Sequence, residues 1–148
     1  MALKRWDSPP DQHRIEGKLL EWVRHRLRES PDSAIEAFRA LPLPYRRVFA
    51  TRRLEAEVAE VGFRGFFSGN YADLVGDALE ALQAMGAESH RRVVEQAMAD
   101  RRLFLQRRRS RALDATTRSF LELEAQTSLM ALRSRYIESE RETFKDHF

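Results

Sequence analysis

A row of carboxylates on one predicted helix is the first feature of this sequence that could do chemistry. Asp73, Asp77 and Glu80 recur at positions i, i+4 and i+7, so they share one face over about two helical turns. Glu60 precedes them in the same acidic block, residues 54–90, which holds seven acidic side chains and one basic one. Such a row could imitate a short run of DNA phosphates for a basic DNA-binding surface. An ordinary solvated helix face is the competing interpretation.

The second charged feature is an arginine-rich stretch, residues 101–111, with six arginines and apolar residues between them. Its candidate contact residues are Arg101, Arg102, Arg107, Arg108 and Arg109. Arginine forks bind phosphates and carboxylates alike, which favours nucleic acid or an acidic protein as the partner. A long helix that buries its few apolar side chains and solvates its arginines remains the alternative interpretation.

Catalytic and metal-binding patterns are missing from the sequence. His13, His25, His90 and His147 are scattered, with no HExxH motif and no pair at i, i+4, so we expect each of them on the surface. The chain has no cysteine, and no serine occupies a nucleophile elbow. We therefore expect no catalytic residue, no metal and no cofactor, and a function other than catalysis.

Composition indicates a folded globule. The chain has 148 residues, 43% hydrophobic and 33% charged, too apolar for a disordered chain. Its pI of about 9.7 is weak evidence for nucleic-acid binding, because the net charge is only +3 and arginine hardly titrates. No stretch approaches the roughly 20 apolar residues that span a bilayer, and no secretory signal follows the basic start. We expect a cytoplasmic protein that has no membrane contact.

Hydrophobic spacing predicts helices throughout. Prolines and glycines supply the boundaries: Ser8 caps a first helix, Ser30–Pro31 open a second that Pro42 closes, and Pro44 opens a third that Gly62 ends. The Gly-Phe segment, residues 62–70, then forms a tight buried connection. A fourth helix follows over about Tyr71–Met85 with Gly86 as its C-cap, and a break at Asp114–Thr117 separates the later helices.

The expected fold is all-α: one compact bundle of about six helices over residues 1–148, with N-terminal helices in 1–40 and a core region in 41–148. The expected core residues are Phe49, Leu54, Val58, Phe63, Phe66, Phe67, Leu79, Leu82, Val94, Tyr136 and Ile137.

Several of these segments resemble one family. The shared residues are Leu43-Pro44, Arg47-Val48-Phe49, Leu54-Glu55-Ala56-Glu57-Val58, Gly62-Phe63, Phe66-Phe67, Ala78-Leu79-Glu80-Ala81-Leu82, Met85-Gly86-Ala87 and Tyr136-Ile137. Over about residues 40–148 the chain resembles the bacterial DNA-mimic-protein-19-like domain family, most of whose members have no known function. The resemblance implies an all-helical interaction domain that tends to self-associate. The family's namesake displays carboxylates like DNA phosphates and captures a transcriptional regulator.

The chain departs from the family pattern at the Gly-Phe segment. The family has Asn-Gly-Gly-Phe where this chain has Glu60-Val61-Gly62-Phe63. It then has a Gln-Tyr-Phe-x-Asn segment where this chain has Gly65-Phe66-Phe67-Ser68-Gly69. The apolar frame is kept and its polar groups are changed. The arginine-rich block also fits poorly with a wholly acidic exterior.

Together these observations predict a non-catalytic protein-interaction domain. Its expected partner is a protein, with a DNA-binding regulator as the kind that the resemblance implies, bound through the acidic helix face. Opposed charge blocks, 54–90 negative and 91–118 positive, also permit a homodimer. The alternative is a nucleic-acid-binding protein that uses residues 91–118.

Overall fold

The computed structural model describes residues 10–30, 33–105 and 111–148, and these residues confirm the all-α prediction. They form seven α-helices and two 3₁₀ turns, with no strand in the described ranges. The helices are α1 (Pro10–Glu29), α2 (Ala34–Arg39), α3 (Leu43–Ser68), α4 (Val75–Ala84), α5 (Glu88–Leu105), α6 (Arg111–Gln126) and α7 (Leu129–Ser139). The 3₁₀ turns are Ala72–Leu74 and Lys145–His147.

Helix α3 is the centre of the bundle. It packs against α1, α4, α5, α6 and α7, which agrees with the apolar residues that the sequence places on several of its sides. All of the predicted core residues are buried except Leu79, which is half-buried. Within the segment that follows Gly62, Phe63, Phe66 and Phe67 are all buried.

Gly62 kinks α3 and does not end it. Its φ of 70° and ψ of 177° are not helical, yet the helix resumes and continues to Ser68. Only glycine adopts such a φ without strain. The kink frees the backbone N–H of Phe63, which donates to the hydroxyl of Thr117 at 2.9 Å. The predicted connection over residues 62–70 therefore buries its three phenylalanines, as expected, but it is mostly helical and its polar residues are exposed.

Helices α5 and α6 form an antiparallel hairpin with a buried polar contact near each end. Nε2 of His90 lies 2.9 Å from a carboxylate oxygen of Glu124, and the hydroxyl of Thr116 bonds the carboxylate of Asp100. The surface position predicted for His90 is wrong, because α6 covers it to 1% exposure.

The other predicted histidine positions have different outcomes. His25 is exposed, as predicted, and His147 is half-buried against the hydroxyl of Tyr45, at 3.0 Å. The side chain of His13 lies outside the described part of the chain.

Two predicted boundaries differ from the structure. Helix α2 is capped by Ser33 and not by Ser30, because the hydroxyl of Ser33 accepts from the backbone N–H of Glu36 at 3.4 Å. Pro31 and the predicted cap Ser8 both lie outside the described residues. The segment 114–117 is helical within α6, because the hydroxyl of Thr116 bonds the carbonyl of Ala112 without interrupting the helix.

The boundary at Gly86 is confirmed as a C-cap. Its φ is 73°, and the N–H of Ala87 reaches back to the carbonyl of Leu82 at 2.8 Å, the pattern of a Schellman motif. The fourth helix itself begins later than predicted, because residues 72–74 form a 3₁₀ turn ahead of α4.

A buried arginine joins three helices. Arg133 of α7 is 0% exposed; its Nε and Nη2 bond the carboxylate of Glu16 on α1, and its Nη1 lies 2.9 Å from Glu55 on α3. Burial by itself lowers the pKa of Arg133, but the charges of the two carboxylates outweigh it and raise that pKa above its ordinary value. The guanidinium therefore stays charged in the interior.

Removing this cation should destabilise the fold strongly. Arg133→Met leaves the carboxylate of Glu16, 6% exposed, without its counter-charge, and we expect unfolding free energy to fall by about 3–5 kcal/mol. Urea denaturation followed by circular dichroism measures the loss. Arg135→Met, an exposed position of the same helix, should change stability by less than about 0.5 kcal/mol. Equal effects of the two variants would refute this role for Arg133.

The phenylalanine cluster gives a second stability prediction. Phe66 is 1% exposed, its ring centroid lies 5.4 Å from that of Phe67, and Phe66→Ala should cost about 3–5 kcal/mol, as for other buried aromatics. Leu121→Ala, at a leucine that is 40% exposed, serves as the control and should cost far less. A loss below about 1 kcal/mol at Phe66 in the same denaturation experiment contradicts the burial of this cluster.

Candidate protein-binding surface

Charged side chains from three helices meet in one open cleft, called here the charged cleft. It has a volume of about 280 Å³ and is lined by Arg39, Leu43, Arg46, Arg47, Gly76, Asp77 and Glu80. Pro42 and Pro44 set the start of α3, where a missing backbone N–H is harmless. This brings three arginines from the end of α2 and the first turns of α3 opposite the carboxylates of α4.

Arg47 is the best-anchored side chain of the charged cleft. Its Nε donates to both carboxylate oxygens of Glu80, at 2.8 and 3.0 Å, and its Nη1 donates to the hydroxyl of Tyr136 at 3.1 Å. The hydrogen bond to Glu80 raises the pKa of Arg47 above its ordinary value. Burial raises the pKa of Tyr136, and the hydrogen bond from Arg47 offsets only part of that rise. Glu80 is thereby fixed in place while its side chain stays 44% exposed.

Asp77 differs from its predicted position. Carboxylates that imitate DNA phosphates must face solvent, but the side chain of Asp77 is only 14% exposed and lies 3.3 Å from Nη2 of Arg39. The side chain of Arg39, the last residue of α2, reaches across to Asp77 in the first turn of α4. A carboxylate in that turn also benefits from the positive end of the helix dipole.

Asp73 and Glu60 are the freest carboxylates of the acidic block. Both are exposed, and neither has a cationic partner within the described ranges. They are not neighbours of one site: Asp73 lies in the 3₁₀ turn before α4, at the rim of an apolar groove, and Glu60 lies on α3 before the kink. The tertiary structure thus does not assemble the predicted acidic residues into one row.

Most of the remaining acidic block is neutralised inside the chain. Glu55 faces Arg133, Glu57 lies 2.6 Å from Arg53, and Glu88 pairs with Arg91 on α5. The negative charge counted in the sequence therefore projects far less potential than isolated carboxylates would.

The arginine-rich stretch, unlike the acidic block, is not neutralised by ion pairs in the described part of the chain. Arg101 lies over the ring of Phe67 at 5.0 Å, and Arg102 is exposed. Arg107, Arg108 and Arg109 lie outside the described residues. Further along α6, Arg111 and Arg118 are exposed, and the described part of the chain places no carboxylate against either of them.

Sequence reasoning missed the arginines that complete the charged cleft. Arg39 and Arg47 lie 38 and 33 residues from their carboxylate partners, so no local spacing connects them. Tyr136, predicted only as a core residue, supplies a hydrogen-bonding hydroxyl as well.

The described residues offer neither a metal-binding cluster nor a membrane span. They contain no group of three or more His, Asp or Glu side chains placed to hold a metal ion. Among the same residues, no helix combines the length and the apolar character needed to cross a bilayer.

Comparison with known proteins gives a family. The family model described as DMP19-like protein matches residues 39–147, from the end of α2 to the last 3₁₀ turn, while no curated protein and no solved structure matches the chain. The matched region holds the charged cleft and excludes α1, which supplies Glu16 to the buried arginine. Because the match covers well over half of its residues, this chain belongs to the DMP19-like protein family.

Proposed function

We propose that this chain is a non-catalytic protein-interaction domain that binds its partner through the charged cleft. Family membership favours a DNA-binding regulator as that partner, which makes the chain a DNA-mimic-like protein. The observation that carries the proposal is the pair formed by Glu80 and Arg47, in which a half-exposed carboxylate is held in one orientation by an arginine that Tyr136 also anchors.

A fixed carboxylate suits recognition better than a free one. The partner's arginine loses less side-chain entropy in binding when its acceptor is already positioned. A carboxylate has about four lone-pair directions, and Arg47 occupies the side of Glu80 that faces α3. The exposed side of Glu80 is thus open to a second cation, as a DNA phosphate is.

Mimicry here is weaker than the sequence alone suggests, because the charged cleft is lined by three arginines and only two carboxylates, so its formal charge is not negative. A DNA-binding partner must either share these carboxylates with the arginines or displace Arg39, the more exposed of the two, at 54%. Exposed Leu43 lines the same cleft and supplies an apolar contact that DNA does not offer. A protein partner therefore fits this surface better than a purely electrostatic one.

Neutralising the carboxylates should remove binding and largely preserve the fold. In the triple variant Asp73→Asn, Asp77→Asn, Glu80→Gln, the lost ion pairs are partly exposed and worth at most about 1 kcal/mol each. A partner captured from native lysate on the wild-type chain should associate with the variant at least about tenfold more slowly at low salt, since charge mainly governs the association rate. The difference should shrink as salt rises.

A matched control carries the same charge change elsewhere: Glu122→Gln, Glu138→Gln, Glu142→Gln, all exposed. It should bind the partner like the wild type. Arg39→Gln sharpens the test, because it uncovers Asp77 and should speed association with a DNA-binding regulator. If the triple variant and its control bind equally well, the charged cleft is a solvated surface and the proposal is wrong.

Direct nucleic-acid binding is a second candidate, favoured by one observation. Arg102, Arg111 and Arg118 are exposed without a carboxylate partner in the described ranges, whereas the acidic side chains are mostly paired. Free guanidinium groups on α5 and α6 can approach phosphates.

This candidate predicts salt-dependent retention on DNA that falls when Arg102, Arg111 and Arg118 become Ala. Each lost phosphate contact should reduce the slope of log K against log salt by about 0.9. The control is a triple variant that removes equal charge from arginines that have carboxylate partners: Arg24→Ala, Arg28→Ala, Arg92→Ala. Absence of retention by the wild type at about 50 mM salt rules out this function.

Cellular location and self-association are part of the same proposal. We infer a cytoplasmic location, and we infer that two copies associate with their charge blocks opposed. Because Asp73 and Glu60 are the acidic residues of the block left free for such a contact, its charge component should be weak. Light scattering at low and high salt measures the dimer fraction and how far charge contributes to it.

A further inference from the structure

An apolar groove lies where the N-terminal helices meet the family core. Its floor consists of Phe38, Phe49 and Leu74, all buried, and half-buried Leu27 and Ile35 form one wall. The ring centroids of Phe38 and Phe49 are 5.7 Å apart. All of the lining from α1 and α2 precedes residue 39, where the family match begins, so this groove is built partly from outside the matched region.

The size of the groove limits what it can hold. Its volume is about 80 Å³, well below the roughly 300 Å³ at which pockets for drug-sized ligands begin. One aliphatic side chain is therefore a better match than a cofactor. An apolar anchor in such a position is typical of an amphipathic helix that lies across a groove.

Charge at the rim limits the occupant further. Asp73 lines the groove, is exposed and has no cationic partner in the described ranges. Arg53 lies over the ring of Tyr71, a lining residue, at 4.3 Å and is already paired with Glu57 at 2.6 Å. Among the described residues that line the groove, Asp73 is the charged one, and it lies beside an apolar floor.

We propose that this groove binds an amphipathic helix of a protein partner, with a leucine-like side chain on the apolar floor and a lysine or arginine against Asp73. Side chains at i and i+4 of a helix lie about 6 Å apart on one face, which suits an anchor and a rim contact made together. The inference rests on the proposed protein-binding function and adds a second contact site with its own specificity.

The test uses synthetic helical peptides as probes, so it does not depend on any captured partner. Three peptides of about 16 residues share an Ala/Gln background. The first carries leucine and, four positions later, arginine; the second replaces the arginine with glutamate; the third replaces the leucine with alanine. Methyl NMR of the full chain follows Leu27, Ile35 and Leu74 during titration.

The leucine–arginine peptide should shift these methyl signals with an affinity of about 0.1–1 mM, as expected for a single anchor. The glutamate peptide should bind about three- to tenfold more weakly, and the alanine peptide should cause no shift. Asp73→Asn should remove the preference for arginine over glutamate and keep the leucine-dependent shifts.

Blocking the groove gives the matched control. Ala34 is exposed at the groove, and Ala34→Trp should abolish the shifts, whereas Ala125→Trp, at an exposed alanine of α6, should leave them unchanged. The proposal is overturned if the first peptide moves none of the three methyl signals, if it binds both tryptophan variants equally, or if charge makes no difference. Variants of each site keep the two proposals separate: in the capture experiment Asp73→Asn alone reports the groove, and Asp77→Asn with Glu80→Gln reports the charged cleft.

Discussion

The charge of Arg133 restrains the positions of three helices at once. A guanidinium that is fully buried needs carboxylates close by, because an uncompensated charge in the interior costs several kcal/mol. Glu16 comes from α1 and Glu55 from α3, so both helices must lie against α7 for the interaction to be complete. Apolar packing alone tolerates shifts of register, whereas this interaction tolerates very few. The buried ions thus specify an arrangement that the hydrophobic core stabilises.

The same arrangement determines the charged cleft. With α3 held against α7, Arg47 can donate to Tyr136 while it also binds Glu80 on α4. The kink at Gly62 acts at the other end of α3, where it turns the phenylalanine-rich last part of the helix towards α6. One long helix therefore contributes arginines to the charged cleft at its start and a buried aromatic cluster at its end.

Charge pairing changes how the acidic sequence block should be understood. Counted along the chain, residues 54–90 carry a marked excess of negative charge, yet most of those carboxylates are paired with arginines, some distant along the chain and some one helical turn away. A DMP19-like chain with this pattern differs from a uniformly acidic mimic of DNA. Its surface combines held carboxylates, exposed Leu43 and an apolar groove, and mixed surfaces of this kind are typical of protein interfaces.

The sequence by itself determined the all-α class, the family, nearly all of the core and the C-cap at Gly86, because helical periodicity and glycine φ are local properties. It failed where the outcome depends on distant partners. Thr116 and Thr117 signalled a break, but their hydroxyls find partners on α5, α6 and α3, so the helix continues. His90 resembled a surface residue until α6 covered it, and Asp77 resembled a solvated carboxylate until Arg39 reached it. Only the tertiary structure decided which charges remain free, because Arg39, Arg47 and Arg133 pair with carboxylates tens of positions away, which no local spacing reveals.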